Sequence, residues 1–527
     1  MTQDGSGQKN IKHVLVVGGG TAGWLTACHL ARSLRPDTPD GVKVTLIESA
    51  NIPTIGVGEG TVPAIRASLE HLGIRETDFV RDCDVTFKQS IKFVDWLHAP
   101  RAGESHAYHH VFDYPDRRTL DPTPYWLMGE VSNTSFADAV SVQEYLCEGN
   151  FGPKVMTHTE YDGAVNYAYH LDAAKFAAFL TKHATERLGV AHKITNVTDV
   201  KLSRDGDISA VMTDSEGALE ADLFVDCTGF ASLLIEKAMG VGFISKDDVL
   251  FVDHALAAQV PYLSENEPIP CHTLATAREA GWIWDIGLSA RRGTGYVYSA
   301  RHTEHDRAEE VLRNYLRTSV GDMADKLDCR RIPMRIGYRE KYWVKNCVAI
   351  GLSQGFVEPL EATGILIYDA TARMLADQFP AHRRAMDTLA TRFNARVRNA
   401  WDRVIDFIKL HYCLSQRDDS QFWRDNRDKA SIPDSLLENL AVWRDQPPSS
   451  YDFASKLDVF NLDNYLYVLY GMGFETNMAP LKSRYQEGAA SQEYFRRMRS
   501  YAEHLASGLL PHRELIARIK HYGLQRV

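Results

Sequence analysis

A glycine-rich turn near the N-terminus is the stretch whose residue types and spacing point most directly to chemistry. Residues 13–17 form the apolar run His-Val-Leu-Val-Val, and Gly18-Gly-Gly20-Thr21-Ala22-Gly23 follows at the spacing GxGxxG. Gly18 allows a tight turn, Gly20 lets backbone approach a pyrophosphate, and Gly23 lets helix and strand pack closely. Thr21 and Ala22 open a helix whose free N–H groups face the anion. A second apolar run, residues 42–47, ends at Glu48, where an acid typically takes the ribose hydroxyls. Strand, turn, helix, strand and acid in this order predict dinucleotide binding. The bland alternative is a glycine-rich turn that binds nothing.

Composition narrows the class. The chain has 527 residues, 44% hydrophobic and 24% charged, with a net charge of −10. That is ordinary for a soluble enzyme of several structural units and implies no nucleic-acid partner. The eight cysteines show no CxxC and no spacing with histidine that suggests metal, so they read as free thiols of a reducing compartment. Residues 1–10 lack an apolar signal core, and no apolar run approaches ~18 residues. The expectation is a cytoplasmic protein with no membrane partner.

Residues 51–65 form a second glycine-rich loop, with Gly56, Val57 and Gly58, that feeds a helix near Pro63. Residues 64–83 look helical. Residues 86–96 read as one strand, with Val85, Phe87, Ile91 and Phe93 on one side, although Phe87, Ile91 and Val94 also fit a helical spacing. Residues 100–124 are loop-rich. Residues 171–188 form an amphipathic helix, and 198–213 a hairpin about Asp205-Gly206. Residues 223–229 (with Asp226) and 347–351 (with Gly351) are late strands that end in glycine, and Asp226 and Gly351, like Gly56, Val57 and Gly58, are expected at the cofactor. Beyond about 370 the chain is mostly helical, with 401–412 an amphipathic series.

Late strands returning beside the first, with a substrate-facing sheet between them, are the layout of hydroxylase-type FAD proteins. An NAD dehydrogenase would continue with further alternating units, and no second GxGxxG is present. The predicted fold is therefore α/β. A Rossmann-like FAD-binding domain with an inserted antiparallel substrate sheet occupies residues 1–370, and a mostly helical region, 371–527, covers the substrate. Reduced flavin must come from elsewhere.

Several stretches together resemble the flavin-dependent halogenases, the tryptophan-halogenase-like family. They are Gly18–Trp24, Gly56-Val-Gly-Glu-Gly-Thr-Val-Pro63, Thr86-Phe-Lys88, Phe93-Val-Asp-Trp96, Asp226-Cys-Thr-Gly229, Trp282-Ile-Trp-Asp-Ile286, Gly295-Tyr-Val-Tyr-Ser299, Glu358-Pro-Leu-Glu-Ala-Thr-Gly364, Trp401-Asp-Arg-Val-Ile-Asp-Phe407 and Leu410-His-Tyr412. The resemblance implies that reduced FAD and oxygen convert chloride or bromide to hypohalous acid, which travels through a tunnel to a lysine beside an aromatic substrate. Lys88 matches that lysine and Glu361 the active-site glutamate. Thr363 and Gly364 match the halide-binding backbone, and His110 and Phe112 the residues that sandwich the ring. The implied partners are a separate flavin reductase and a small aromatic substrate, with a homodimer left open.

The chemistry suits these residue types. An ammonium supplies three donors to the oxygen of a hypohalous acid, which is otherwise a weak electrophile. A nearby carboxylate can take the proton leaving the ring. Alternatives stand beside each assignment. Lys88 could be a solvated strand lysine, and Glu361 a first-turn acid on a helix. The group His106-x-x-His109-His110 could suggest metal, but no acid or cysteine completes it. Trp282 and Trp284 either fill core or exclude a hydroxylation path. Three departures from the family pattern are Gly287 for proline, Ala362 for serine, and Asn464-Tyr465-Leu466 near the paired tyrosines that grip free tryptophan. The last favours indole or another electron-rich aromatic over tryptophan, with Tyr465 and Leu466 still placed at the substrate. The competing functions are an FAD-dependent aromatic hydroxylase and a non-catalytic flavin-binding protein.

Overall fold

The strand His13–Val17 sits inside a six-stranded sheet because Val14, Leu15 and Val16 leave it no polar face; helix Thr21–Leu34 covers one side, and Ile208, Val211, Leu234 and Ile235 cover the other, and a parallel strand covered on both sides is apolar throughout. Lys43–Glu48 and Leu223–Asp226 flank it in parallel, and Ala191–Ile194 and Cys347–Ala349 extend the sheet outward. The late strands thus return beside the first. The computed structural model describes residues 10–52, 58–101, 104–453 and 459–525. Helix Thr21–Leu34 packs on helix Thr363–Asp377. His29 Nε2 and Ser68 Oγ both reach the Asp369 carboxylate, at 2.7 and 2.5 Å, which ties three helices together.

The second large sheet has seven strands, in the order Cys329–Pro333, His254–Pro261, Arg291–Tyr298, Gly281–Gly287, Thr273–Arg278, Ser90–Val94 and Ala107–Val111. It is mixed rather than purely antiparallel, because Ser90–Val94 runs parallel to Thr273–Arg278. Its last two strands precede the late segments in the chain, so it is not a single insertion.

Three local expectations change. The predicted strand over 86–96 is two strands in two sheets. Thr86–Lys88 pairs with Ala168–Asp172, and the chain then switches sheets at Gln89. Gln89 N–H donates to Cys271 O, and its side-chain amide to Phe151 O, so the crossing point is held by polar contacts. The expected helix over 64–83 is Ala64–His71 followed by Glu76–Asp82, broken at Gly73, whose φ of 77° no helix admits. The loop-rich 100–124 contains the strand Ala107–Val111.

The proposed 370/371 boundary falls inside helix Thr363–Asp377, and one apolar core runs from Ile11 to Leu524. The two segments share that core instead of forming separate ones. The C-terminal half of helix Met386–Cys413 is buried on every side from Val404 to Tyr412, so residues 401–412 are not amphipathic in place. A helix without a wet face passes through the centre of a protein, and this one carries His411 to the middle of the molecule.

A fully buried ion pair braces the region below Lys88. Glu76 accepts from Lys154 Nζ at 2.7 Å, Tyr167 OH at 2.7 Å, Tyr169 OH at 2.6 Å and Tyr161 N–H at 2.7 Å. Removing one member leaves the other charge buried without its partner. Lys154→Met should lower unfolding stability by about 3–5 kcal/mol, read by denaturant titration; a loss under about 1 kcal/mol would mean that the phenols alone support the carboxylate.

Candidate active site

A cavity of about 530 Å³ opens where the first sheet ends. Its wall includes Gly18, Gly20, Thr21, Ala22, Gly23, Glu48 and Gly58, with Cys227, Thr228 and Gly229 opposite. The three glycines answer different needs. Gly18 has φ 114°, and a Cβ there would overlap the Cys227 carbonyl. A Cβ at Gly23 would overlap the Gly18 carbonyl oxygen. Gly20 has nothing within 4 Å of its missing side chain, so it faces open cavity at the N-cap of helix Thr21–Leu34. Among the described residues no group uses that space, which is what a ligand lying against the backbone requires. Glu48 lines the cavity, with His192 Nε2 at 2.7 Å. These residues fit a dinucleotide.

Two expected cofactor contacts do not lie on the wall. The Asp226 carboxylate is fully buried and accepts from Thr228 N–H, Thr228 Oγ1, Leu234 N–H and Ile235 N–H. It organises the loop that reaches the cavity and does not face it. Gly351 (φ 85°) allows close packing on Ala22, 2.7 Å from where its Cβ would stand. Gly56 and Val57 lie outside the described residues.

Lys88 is 1% exposed and lines the same cavity. The switch of sheets at Gln89 separates it from Ser90, whose hydroxyl meets His109 Nδ1 at 2.8 Å. The ammonium therefore does not face Ser90, as one continuous strand would have it. Lys88 Nζ donates to Thr61 O at 3.1 Å and lies 5.4 Å over the Phe112 ring. Burial pulls the ammonium down to about 8, and the charge of Glu361 opposes that only in part.

Glu361 is 1% exposed. His110 Nδ1 lies 3.0 and 2.9 Å from its two oxygens, and His411 Nε2 lies 2.9 Å from one of them. Burial pushes the carboxyl up, but the contacts from His110 and His411 outweigh it and hold the group below the usual carboxylate range. His110 and His109 are neighbours on one strand and point to opposite faces, His109 to Ser90 and Glu148. His109 and His110 therefore do not turn toward one shared ion. His411 went unassigned from sequence; its signal was a polar residue in the apolar run 404–412.

Helix Thr363–Asp377 begins at the cavity, with Ala362 in left-handed conformation (φ 55°) and no side-chain cap. Gly364 lines the cavity. Thr363 is fully buried, and its hydroxyl has no hydrogen-bond partner among the described residues. Free N–H groups and an unpartnered hydroxyl at a helix start suit an anion. Trp282 and Trp284 both stand on the cavity wall, and Trp282 Nε1 donates to the buried Glu358 carboxyl at 2.7 Å. Burial holds Glu358 up at about 7, against hydrogen bonds from Tyr412 and Trp282.

On helix Leu462–Gly471 it is Asn464 and Tyr467, and not Tyr465 and Leu466, that meet His110. Asn464 bonds His110 Nε2 at 2.9 Å, and Tyr467 lies beside the His110 ring. Tyr465 instead packs among Phe407, Trp443 and Phe453, and Leu466 is buried. Among the described residues, Cys147, Cys271 and His272 bring their ligating atoms within 4.8 Å of one another, a convergence their sequence spacing hides. Both thiols are already hydrogen-bonded, to Ser90 and the Cys147 carbonyl.

The family profile described as tryptophan halogenase matches residues 13–487. The chain is 36% identical to the 7-chloro-L-tryptophan 6-halogenase KtzR of Kutzneria sp. over 96% of this chain and 99% of that protein. It is 38% identical to the tryptophan 6-halogenase SttH of Streptomyces toxytricini over 88% and 90%. The crystal structure of a tryptophan halogenase from Shewanella frigidimarina superposes with a TM-score of 0.95 at 42% identity, covering 99% of this chain and all of that one.

Because Gly20 faces open cavity, Gly20→Val should leave the fold intact and fill ligand space. FAD affinity should fall by on the order of a hundredfold, as clashing contacts against a pyrophosphate cost several kcal/mol. Flavin fluorescence titration reads this, and unchanged affinity would place the dinucleotide elsewhere.

Proposed function

This chain belongs to the tryptophan halogenase family, and we propose that it uses reduced FAD, oxygen and chloride or bromide to halogenate an electron-rich, indole-type ring. One observation carries the reading. Lys88 lines the dinucleotide cavity, yet its ammonium stands over Phe112 and within electrostatic reach of Glu361. A buried donor on the cavity wall thus stands beside Phe112 and near Glu361, the residues proposed to hold the ring and to take its proton.

Bound reduced FAD would supply the electrons with which oxygen oxidises the halide to hypohalous acid. Gly18, Gly20, Thr21, Ala22, Gly23 and Glu48 would hold the dinucleotide, and Thr363 and Gly364 the halide at the helix start. Lys88 would hydrogen-bond the oxygen of the hypohalous acid and so make its halogen electrophilic. His110 and Phe112 would hold the ring. When halogen adds, the ring becomes a strongly acidic cation. A carboxylate as weakly basic as Glu361 then suffices to take the proton. Trp282 and Trp284 would wall the oxidising side from the substrate. No second dinucleotide fingerprint accompanies the first, which supports supply of reduced flavin by a separate NAD(P)H-dependent reductase.

The relatives named above are named for tryptophan. Here Asn464 is engaged with His110 and Leu466 is apolar and buried, which supports indole itself as the better substrate. Charged ends of an amino acid bound without partners lose affinity. In competition assays read by mass spectrometry, kcat/KM for indole should exceed that for tryptophan; the reverse order would reject the preference.

Lys88→Ala should abolish halogenation while reduced flavin is still oxidised by oxygen. Glu361→Gln should lower turnover by about 10²–10⁴-fold, the usual range for a lost proton acceptor. Stopped-flow flavin oxidation beside product mass separates the outcomes. Halogenation by Lys88→Ala near the wild-type rate rejects the mechanism, and a product heavier by one oxygen instead of a halogen marks a hydroxylase. In the wild type, halogenation should fall as pH rises through about 8, because the Lys88 ammonium is present below that value and lost above it; an undiminished rate at pH 10 would count against Lys88 as the donor.

A further inference from the structure

The hydrogen-bond directions around Glu361 determine where its protons are, and they trace back to a helix cap. The first turn of Leu462–Gly471 is a capping box in which Asn461 N–H donates to Asn464 Oδ1 at 2.9 Å. With its oxygen on a backbone donor, the Asn464 amide can only turn its NH2 group to His110 Nε2, 2.9 Å away. An NH2 group offers hydrogens and no lone pair. His110 Nε2 must therefore be the bare nitrogen, and the ring proton sits on Nδ1, which faces both Glu361 oxygens.

The other side of Glu361 runs differently. His411 Nδ1 lies 2.9 Å from the Phe407 carbonyl oxygen, which only accepts, so that nitrogen carries a proton. Its Nε2 lies 2.9 Å from Glu361 Oε1. A second proton there makes His411 an imidazolium and leaves Glu361 a carboxylate. Both groups are at most 1% exposed, where a carboxylate without a counter-charge would be strongly destabilising. The rings packed on His411 are Phe93, Trp96 and Phe407. The other titratable groups near this chain of contacts are Lys88, Tyr108 and Tyr467.

We infer that Asn464 is a positioning residue: its capped amide holds His110 as the neutral Nδ1–H tautomer, so that the counter-charge of Glu361 is the imidazolium of His411 and not His110. The assignment rests on the reading of Glu361 as the acceptor of the ring proton for its catalytic consequence, though not for the protonation states themselves. A neutral His110 beside the ring leaves Glu361 with one cationic hydrogen-bond partner, while the Lys88 ammonium acts on it only across space. A second would make it a poorer base and repel the ring cation formed on halogenation.

Neutron diffraction of the deuterated full-length protein tests the states without turnover. Wild type should carry deuterium on His110 Nδ1 and not Nε2, and on both nitrogens of His411. Asn464→Asp keeps an oxygen for the Asn461 cap but turns a second acceptor to Nε2, so His110 should carry two deuterons. In halogenation assays this variant should lose on the order of tenfold in kcat at pH 7, the sense in which a misprotonated histidine lowers turnover. It should regain rate as pH rises toward the region where Lys88 deprotonates, a limb the wild type lacks. Asn464→Leu should lose rate without that limb. Deuterium on Nε2 of wild-type His110, a singly deuterated His411, or Asn464→Asp with the wild-type pH profile each overturn the inference. If the states hold while Glu361→Gln halogenates normally, the role of Glu361 fails and the tautomer assignment stands.

Discussion

The interior of this protein must hold a lysine and a glutamate in one dry region without letting them neutralise each other. Two buried opposite charges left alone would close into an ion pair, and the lysine's donors would then be taken. Here the Glu361 oxygens are occupied by His110 and His411, while Lys88 donates to the Thr61 carbonyl. No ion pair joins Lys88 to Glu361 among the described residues. The charges feel each other, but the ammonium keeps donors for something that enters the cavity.

That arrangement depends on elements far apart in the chain. Lys88 reaches the cavity because its strand ends at Gln89 and the next strand joins another sheet. Glu361 sits just before a helix whose start lines the same cavity. His411 arrives on the half of its helix that is buried all round, and Asn464 on the cap of another. From below, His512 of the last helix accepts the Phe87 N–H at 3.0 Å and fixes the strand that carries Lys88. The C-terminal helices are therefore part of the site and not a cover laid over it.

The local patterns in the sequence were legible where short-range rules decide the outcome. The strand at 13–17, the glycine turn, the helix after it, the second strand ending at Glu48 and the hairpin about Gly206 depend on nearest neighbours and periodicity. The breaks were not legible. Gln89 looks like any polar strand residue, and only its contacts to Cys271 and Phe151 explain why the strand divides there. Asp226 ends an apolar strand paired with Val17 beside the glycine turn, yet its carboxylate closes a local loop.

By itself the sequence determined a dinucleotide-binding start, late strands that return to it, a set of motifs specific enough to mark the family, and the residue types a halogenating site needs. The tertiary structure alone decided which of those residues meet. Tyr465 and Leu466 were the positions read at the substrate, but the helix turns Asn464 and Tyr467 to His110 instead, because residues three apart share a helix face and adjacent ones do not. The protonation of His110 and His411 was likewise invisible in the chain. It follows from which atom each ring nitrogen faces, and those atoms are 50 to 354 residues away for the carboxylate and the amide. Spacing along a sequence encodes local geometry, whereas the direction of a hydrogen bond between distant segments exists only once they are packed.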